Sequence, residues 1–463
     1  MKREASSFKP QASSCPLRAS VVLLAACGLW LGAAFAQEQP PLTPAPAVEI
    51  PAEELWLKLT SSSGRKKLAL TVADFHSPPS TSDPRLRDVR TVFVADLKFS
   101  LHFTFEEPDS GGAFNFVTDE KKLDFKGWGT TGASILICGD LVAKRSGPHV
   151  QLRMYDLDVN RLIATKSYPL TEGWRWLAHT MADEVIRLLT PDDGVSRTRI
   201  VFSRAIDRET KELGVADYDG AGMEQLTSSG GLKLFPDWAP SGAALAFCTY
   251  GSRTLDIHTY SIGSSRSRAI SERTGLNTTP AWSPDGRTIA ASLGFEGNQE
   301  IYLMDPNGKN LRRLTDSKGI DISPSWSPNG RQIAFVSDRT GSPQIYVMNA
   351  DGTDVQRLTF EGSYNTSPAW SPQGDLIAFV QRQPGGTNQI CVTNLTGDTY
   401  MRLTSGMNNE DPCWSPDGLH LAFSSNRSGS YEICTMDWTG AHQHRITDVK
   451  GAYSPTWSPR LNR

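Results

Sequence analysis

Short apolar runs separated by polar turns fill the C-terminal part of the chain, and the pattern has a fixed period. Aligned, each unit reads x-P-x-W-S-P-D/N-G, then an apolar run such as "QIAFVS" (332–337). A variable loop follows, then a second run such as "QIYVMN" (344–349), a D-G or N-G turn and a closing "RLT". Trp238, Trp282, Trp326, Trp370, Trp414 and Trp457 stand 44, 44, 44, 44 and 43 residues apart. Apolar runs bounded by Pro, Gly, Asn and Asp read as strands, and D-G and N-G signal tight hairpins. Four strands per 44-residue unit predict a propeller blade. Asp285, Asn329, Gln373 and Asp417 follow the Ser-Pro of successive units. They fit type I turns better than a calcium site, because Pro presets the backbone and Gly closes it.

The two ends of the repeat region complement each other. It begins at "RTRIVFSR" (197–204), a second strand without a first, and ends at "SPTWSPRLNR", a first strand without a second. Pairing Tyr453–Pro459 beside Ile200–Ser203 makes the sixth blade and joins the ring, leaving few strand edges open. The expected architecture is an all-β six-bladed propeller over residues 199–463, a linker at 191–198 and a small mixed α/β domain over 50–190. In that domain Leu86, Val89, Phe93, Leu97 and Leu101 have helical spacing, as do Leu177, Met181, Val185 and Leu188. "KLALTVADF" and "SILICGDLV" read as strands, and "HVQLRMYDLDVNRLIATKSY" as a hairpin.

Composition narrows the class. A net charge of -3 offers nothing to nucleic acid. Basic residues precede an apolar run from Ala19 to Phe35 and an A-x-A site at Ala34–Ala36, which reads as a signal peptide cut after Ala36. "LAAC" (24–27) also fits a lipoprotein box that would lipidate Cys27, but the apolar run continues past it, which favours simple secretion. Residues 37–49 are Pro-rich and read as a tether. Cys138, Cys248, Cys391, Cys413 and Cys434 remain after cleavage and read as buried thiols, with Cys391 and Cys434 taking the place of Tyr346 in neighbouring repeats.

"PAWSPDGRTIA", "PSWSPNGRQIAFVSDR" and "RLTFEGSYNTSPAWSP" resemble the repeat of the TolB family. Peptidase propellers carry similar units. "LAHTMADEVIRLLT" followed by "RTRIVFS" is similar to the junction between the α/β domain and the propeller of TolB proteins. His102–Lys122 matches the family loosely. The resemblance implies a periplasmic adaptor of the Tol–Pal system, peripheral to the outer membrane and monomeric. Its implied partners are the Pal-type peptidoglycan-associated lipoprotein and a TolA-type protein, and its implied role is outer-membrane integrity and constriction during cell division.

The residues favour binding over catalysis. The chain has no G-x-S-x-G elbow, H-E-x-x-H, P-loop or EF-hand loop, so no catalytic residue, metal ligand or cofactor is assigned. The alternatives are a propeller hydrolase or lyase, or a peptidoglycan- or glycan-binding module. In a propeller the first strand lines the central channel, so the residues opening each inner strand ring its mouth. These are Lys233, Asn277, Asp321, Asn365, Asn409 and Ala452, with Thr278, Thr366, Glu410, Asp411 and Tyr453 beside them. This polar collar with aromatic points suits a peptide or protein loop. Glu54, Leu55, Trp56, Leu57, Lys58 and Leu59 alternate after the tether and read as a first strand. The resemblance makes them equally a segment that adds to a sheet edge of the TolA-type partner. His179 reads as a hydrogen-bonded histidine at the domain junction.

Overall fold

The computed structural model describes residues 48–49, 67–78, 82–106, 123–250 and 254–461. The signal segment, most of the tether and Glu54–Leu59 lie outside the described residues. So does the bulk of the loosely matching stretch.

Val48–Glu49 (β1) adds in parallel to the outer edge of one blade, opposite Thr399 and Tyr400. The α/β domain has a five-stranded sheet of Leu68–Val72 (β2), Phe103–Phe105 (β3), Ile135–Lys144 (β4), Gly147–Asp156 (β5) and Arg161–Pro169 (β6), ordered β3-β2-β4-β5-β6. β2 pairs in parallel with both neighbours, and β4, β5 and β6 form an antiparallel meander. Helix α1 (Arg85–Phe99) buries Leu86, Val89, Phe93 and Leu97, the stripe its sequence spacing marks. It starts where the Asp83 carboxylate accepts the Arg85 N–H at 2.9 Å, and it stops before Leu101, whose φ of 63° no helix continues. A short helix, α2 (Phe125–Gly129), buries Trp128.

Helix α3 (Trp174–Leu189) buries Met181 and Val185 as its spacing marks, but its buried face is rotated away from Leu177 and Leu188. It buries Ala178, Met181, Ala182, Val185 and Ile186, whereas Leu188 is 44% exposed and Leu177 only partly covered. The two alanines are the reason: small side chains let α3 lie close to α1, and leucines at those positions would hold the helices apart.

Six four-stranded antiparallel sheets make the propeller, with inner strands Ala452–Trp457, Lys233–Trp238, Asn277–Trp282, Asp321–Trp326, Asn365–Trp370 and Asn409–Trp414 for blades 1 to 6. Blade 1 is the composite one. Ala452–Trp457 pairs with Arg199–Ala205, with Tyr453 opposite Ser203 and Trp457 opposite Ile200. Phe202, Phe247, Phe335, Phe379 and Phe423 of the second strands are buried throughout. Each buried tryptophan wedges between two blades: Trp370 touches the clusters of blades 4 and 5, and Trp414 those of 5 and 6. The hairpin turns also lean on the neighbouring blade. Gly308 has a φ of +82°, and a Cβ there would lie 2.1 Å from the Ile270 carbonyl, so only glycine fits. Cys391 and Cys434 sit opposite Phe379 and Phe423, as Tyr346 sits opposite Phe335.

The proline of P-x-W lies in the middle of the inner strand, at a break in pairing, for example between Thr366 and Ala369. The residue before it is left-handed in every blade: Phe235, Thr279, Ser323, Ser367, Asp411 and Ser454 have φ between 47° and 55°. The bulge removes the ladder bond that proline could not donate and turns one side chain per blade into the channel.

Candidate partner-binding site at the channel mouth

Six bulges place Phe235, Thr279, Ser323, Ser367, Asp411 and Ser454 around a channel space of about 340 Å³. Asp411 is the acid of this ring. Its carboxylate accepts from Ser454 Oγ at 2.9 Å on one side and Ser367 Oγ at 3.4 Å on the other. Burial pushes its pKa up, and the two hydroxyls and the Lys211 charge pull against that.

A second carboxylate lines the channel one layer away. Asp237, the x of the first P-x-W, accepts the Trp282 N–H of the next blade at 2.7 Å. Ser325 Oγ does the same for Trp370 at 3.0 Å. Burial pushes Asp237 up to about 7, against the pull of the Trp282 and Trp238 amides. A carboxyl whose folded pKa is raised loses stability as pH climbs from its unfolded value toward the folded one. Asp237→Asn keeps an acceptor for Trp282 without the charge. We expect its stability relative to wild type to be greater at pH 8 than at pH 5 by about 2 kcal/mol, read by calorimetry at the two pH values.

The collar residues divide into two groups. Asn277, Asp321, Asn365 and Asn409 are fully buried and bonded within the loops. Asn277 Nδ2 donates to the Leu255 carbonyl at 2.9 Å, and Asn365 and Asn409 donate to Gln344 and Gln389 Oε1 at 2.7 and 2.9 Å. Asp321 meets Arg339 at 2.8 Å, and burial pushes it up to about 6. Thr278 is buried too, and the Lys233 ammonium bonds the Gly230 carbonyl. This group shapes the loops and presents no side chain at the surface.

Thr366, Glu410, Asp411 and Tyr453 are half-buried, and Asp411 lines the channel. Glu410 Oε1 accepts from Asn388 Nδ2 at 2.7 Å, and its carboxyl is pushed up by burial and by the Asp411 charge. The Tyr453 ring lies 5.0 Å from Tyr431, and the Lys211 ammonium sits 3.7 Å over it. Burial holds the Lys211 pKa down, partly countered by Asp411. Arg382 covers the Tyr364 ring at 4.2 Å. Met407, 53% exposed, stands two residues before Asn409. Blades 5, 6 and 1 therefore carry a compact set of carboxylates, rings and cations, suited to a polar peptide with one apolar anchor. Lys211, Arg382 and Tyr431, at or beside the ends of second and third strands, belong to this set and lie outside the repeating motif.

A family model described as the TolB beta propeller domain matches residues 186–461, and one for the TolB amino-terminal domain matches 60–162. The Tol-Pal system protein TolB of Cereibacter sphaeroides is 32% identical over 249 residues, 52% of this chain and 55% of that protein. Its counterpart in Polaromonas naphthalenivorans is 33% identical over 215 residues, 46% and 48% of the two chains. These alignments span about half the length of the curated relatives. The crystal structure of TolB from Acinetobacter baumannii superposes with a TM-score of 0.74 over 85% of this chain and 97% of that one, at 24% identity, which speaks for the fold. With the propeller model covering more than half of its length, the chain belongs to the TolB family.

Proposed function

We propose that this chain is a non-enzymatic periplasmic adaptor of the Tol–Pal system, exported with cleavage after Ala36. The channel mouth takes a loop of the Pal-type lipoprotein, which holds the adaptor at the outer membrane. The segment Glu54–Leu59 engages the TolA-type protein by strand addition. In this role it supports outer-membrane integrity and constriction at division.

The observation that carries this reading is the group of half-buried side chains at the mouth, Glu410, Asp411, Tyr453 and Lys211, on a rigid ring of strands. Each carboxylate near the channel also has a structural duty: Asp237 holds Trp282, and Asp411 bridges two serines. That supports a binding surface over a general acid–base pair. Co-purification of the tagged full-length protein from envelope extracts tests the reading. Pal-type and TolA-type proteins in the eluate, with a mature chain beginning at Gln37 by mass spectrometry, are expected. Turnover of envelope peptides or glycans by the purified protein alone would contradict it.

A further inference from the structure

The junction between the α/β domain and the propeller holds a chain of three ionisable side chains. Asp96 of α1 is fully buried, and so is His179 of α3. The His179 Nδ1 and Asp96 Oδ2 atoms are 2.8 Å apart, and Tyr218 of the propeller donates its hydroxyl to Asp96 Oδ1 at 2.5 Å. One carboxylate thus ties α1 and α3 of the first domain to the second. Phe99 completes the contact: its ring lies 4.7 Å from Tyr218 and stacks on His420 of blade 6 at 3.9 Å, and its carbonyl meets His420 Nε2 at 2.8 Å.

The odd feature is the far side of the imidazole. His179 Nε2 is buried, and among the described residues no side chain or backbone group hydrogen-bonds to it. Asp96 binds His179 and Tyr218 across the junction, beside the Arg175–Asp219 ion pair and the Phe99–His420 contact. Other charged groups face it from each side: Arg175 and Asp183 on α3, Asp219 beside Tyr218 in an ion pair with Arg175, and Asp417 behind His420 at 3.6 Å.

We propose that Asp96, His179 and Tyr218 form a proton-responsive latch between the two domains, closed while the pair holds its proton and loosened when the proton leaves. Burial works against a charged imidazole, but the adjacent Asp96 carboxylate outweighs it, and His179 is net raised. Burial likewise raises Asp96, against the pull of His179 and Tyr218. Both shifts mean that closure takes up a proton. A raised histidine contributes fully below its unfolded value of about 6.5 and loses that contribution as pH climbs through its folded value. The latch weakens on the alkaline side. A partner that prefers one junction state would bias it, and proton binding would shift in return.

The test is hydrogen exchange of linker amides 194–198 in the full-length protein at pH 6.0 and 8.5, corrected for the intrinsic rate. Opening is expected to rise at least fivefold in the wild type and less than twofold in His179→Gln. Tyr218→Phe, which keeps the ring and drops the hydroxyl, should open more than wild type at pH 6.0. Equal opening of the wild type at both pH values, or an undiminished pH effect in His179→Gln, would overturn the latch. If His179→Gln does not fold, NMR titration of His179 in the wild type decides. Titration above pH 6.5 supports the proposal and titration below it contradicts it.

Discussion

Trp457→Ala is expected to destabilise the protein by about 3–5 kcal/mol and to lower the melting temperature by roughly 10 °C. Trp457 is buried between blade 6, at Ala422 and Ile433, and the composite blade, at Ile200 and Phe202. Its Nε1 donates to Thr198 Oγ1 at 2.8 Å, across the seam where the last strand meets the first. Removing the ring leaves a cavity, takes one donor from the buried Thr198 hydroxyl, which still donates to the Val195 carbonyl, and loosens the pairing that closes the circle. Trp282→Ala, at a half-buried wedge inside an unbroken stretch of chain, should cost about 2 kcal/mol. The contrast is the informative part. If Trp457→Ala costs less than 1 kcal/mol, the last strand frays freely and the ring is not held by it. Chemical denaturation of both variants against wild type reads the difference.

The second large effect is on binding. Glu410→Ala combined with Tyr453→Ala is expected to weaken capture of the Pal-type lipoprotein by at least about 100-fold, near 2.7 kcal/mol. Tyr453 offers an aromatic face next to Tyr431, and Glu410 offers a carboxylate already oriented by Asn388. An oriented aromatic and an oriented charge lose little conformational freedom on binding, which is why such residues dominate interfaces. Neither fills the blade core, so melting should move by only a few degrees. By contrast, Asp321→Ala or Asn365→Ala would remove loop bonds made by fully buried side chains. Those variants perturb the mouth by loosening its loops, and their effect on capture would not report a contact. Pull-down with the double variant, beside its melting curve, separates the two causes.

Much of this molecule is legible in its sequence because the repeat writes the same structural demand six times. The tryptophan spacing, the turn glycines and the two half-units at the ends carry the blade count and the closure. The left-handed residue before each proline is less legible. Threonine, serine, aspartate and phenylalanine share no preference for that conformation, and only the broken strand pairing reveals it. In α3 the spacing marks Met181 and Val185, but it does not mark Ala178 and Ala182 at the helix contact, because alanines look less apolar than the exposed Leu188.

The site is legible in part. Period and strand direction locate the mouth, yet they cannot separate Asn365, spent on Gln344, from its neighbour Thr366, which stays half-exposed. Lys211 reaches Tyr453 only because the first and last strands of the ring lie side by side. Asp96, His179 and Tyr218 lie 83 and 122 positions apart along the chain, and no local pattern joins them.

The most direct measurement of the central claim is titration calorimetry of the purified Pal-type lipoprotein domain into the full-length protein, wild type and Glu410→Ala/Tyr453→Ala. The adaptor reading predicts one-to-one binding by the wild type, with affinity at least 100-fold lower in the variant at unchanged fold. Equal affinity for both proteins, or no binding by the wild type, would contradict it.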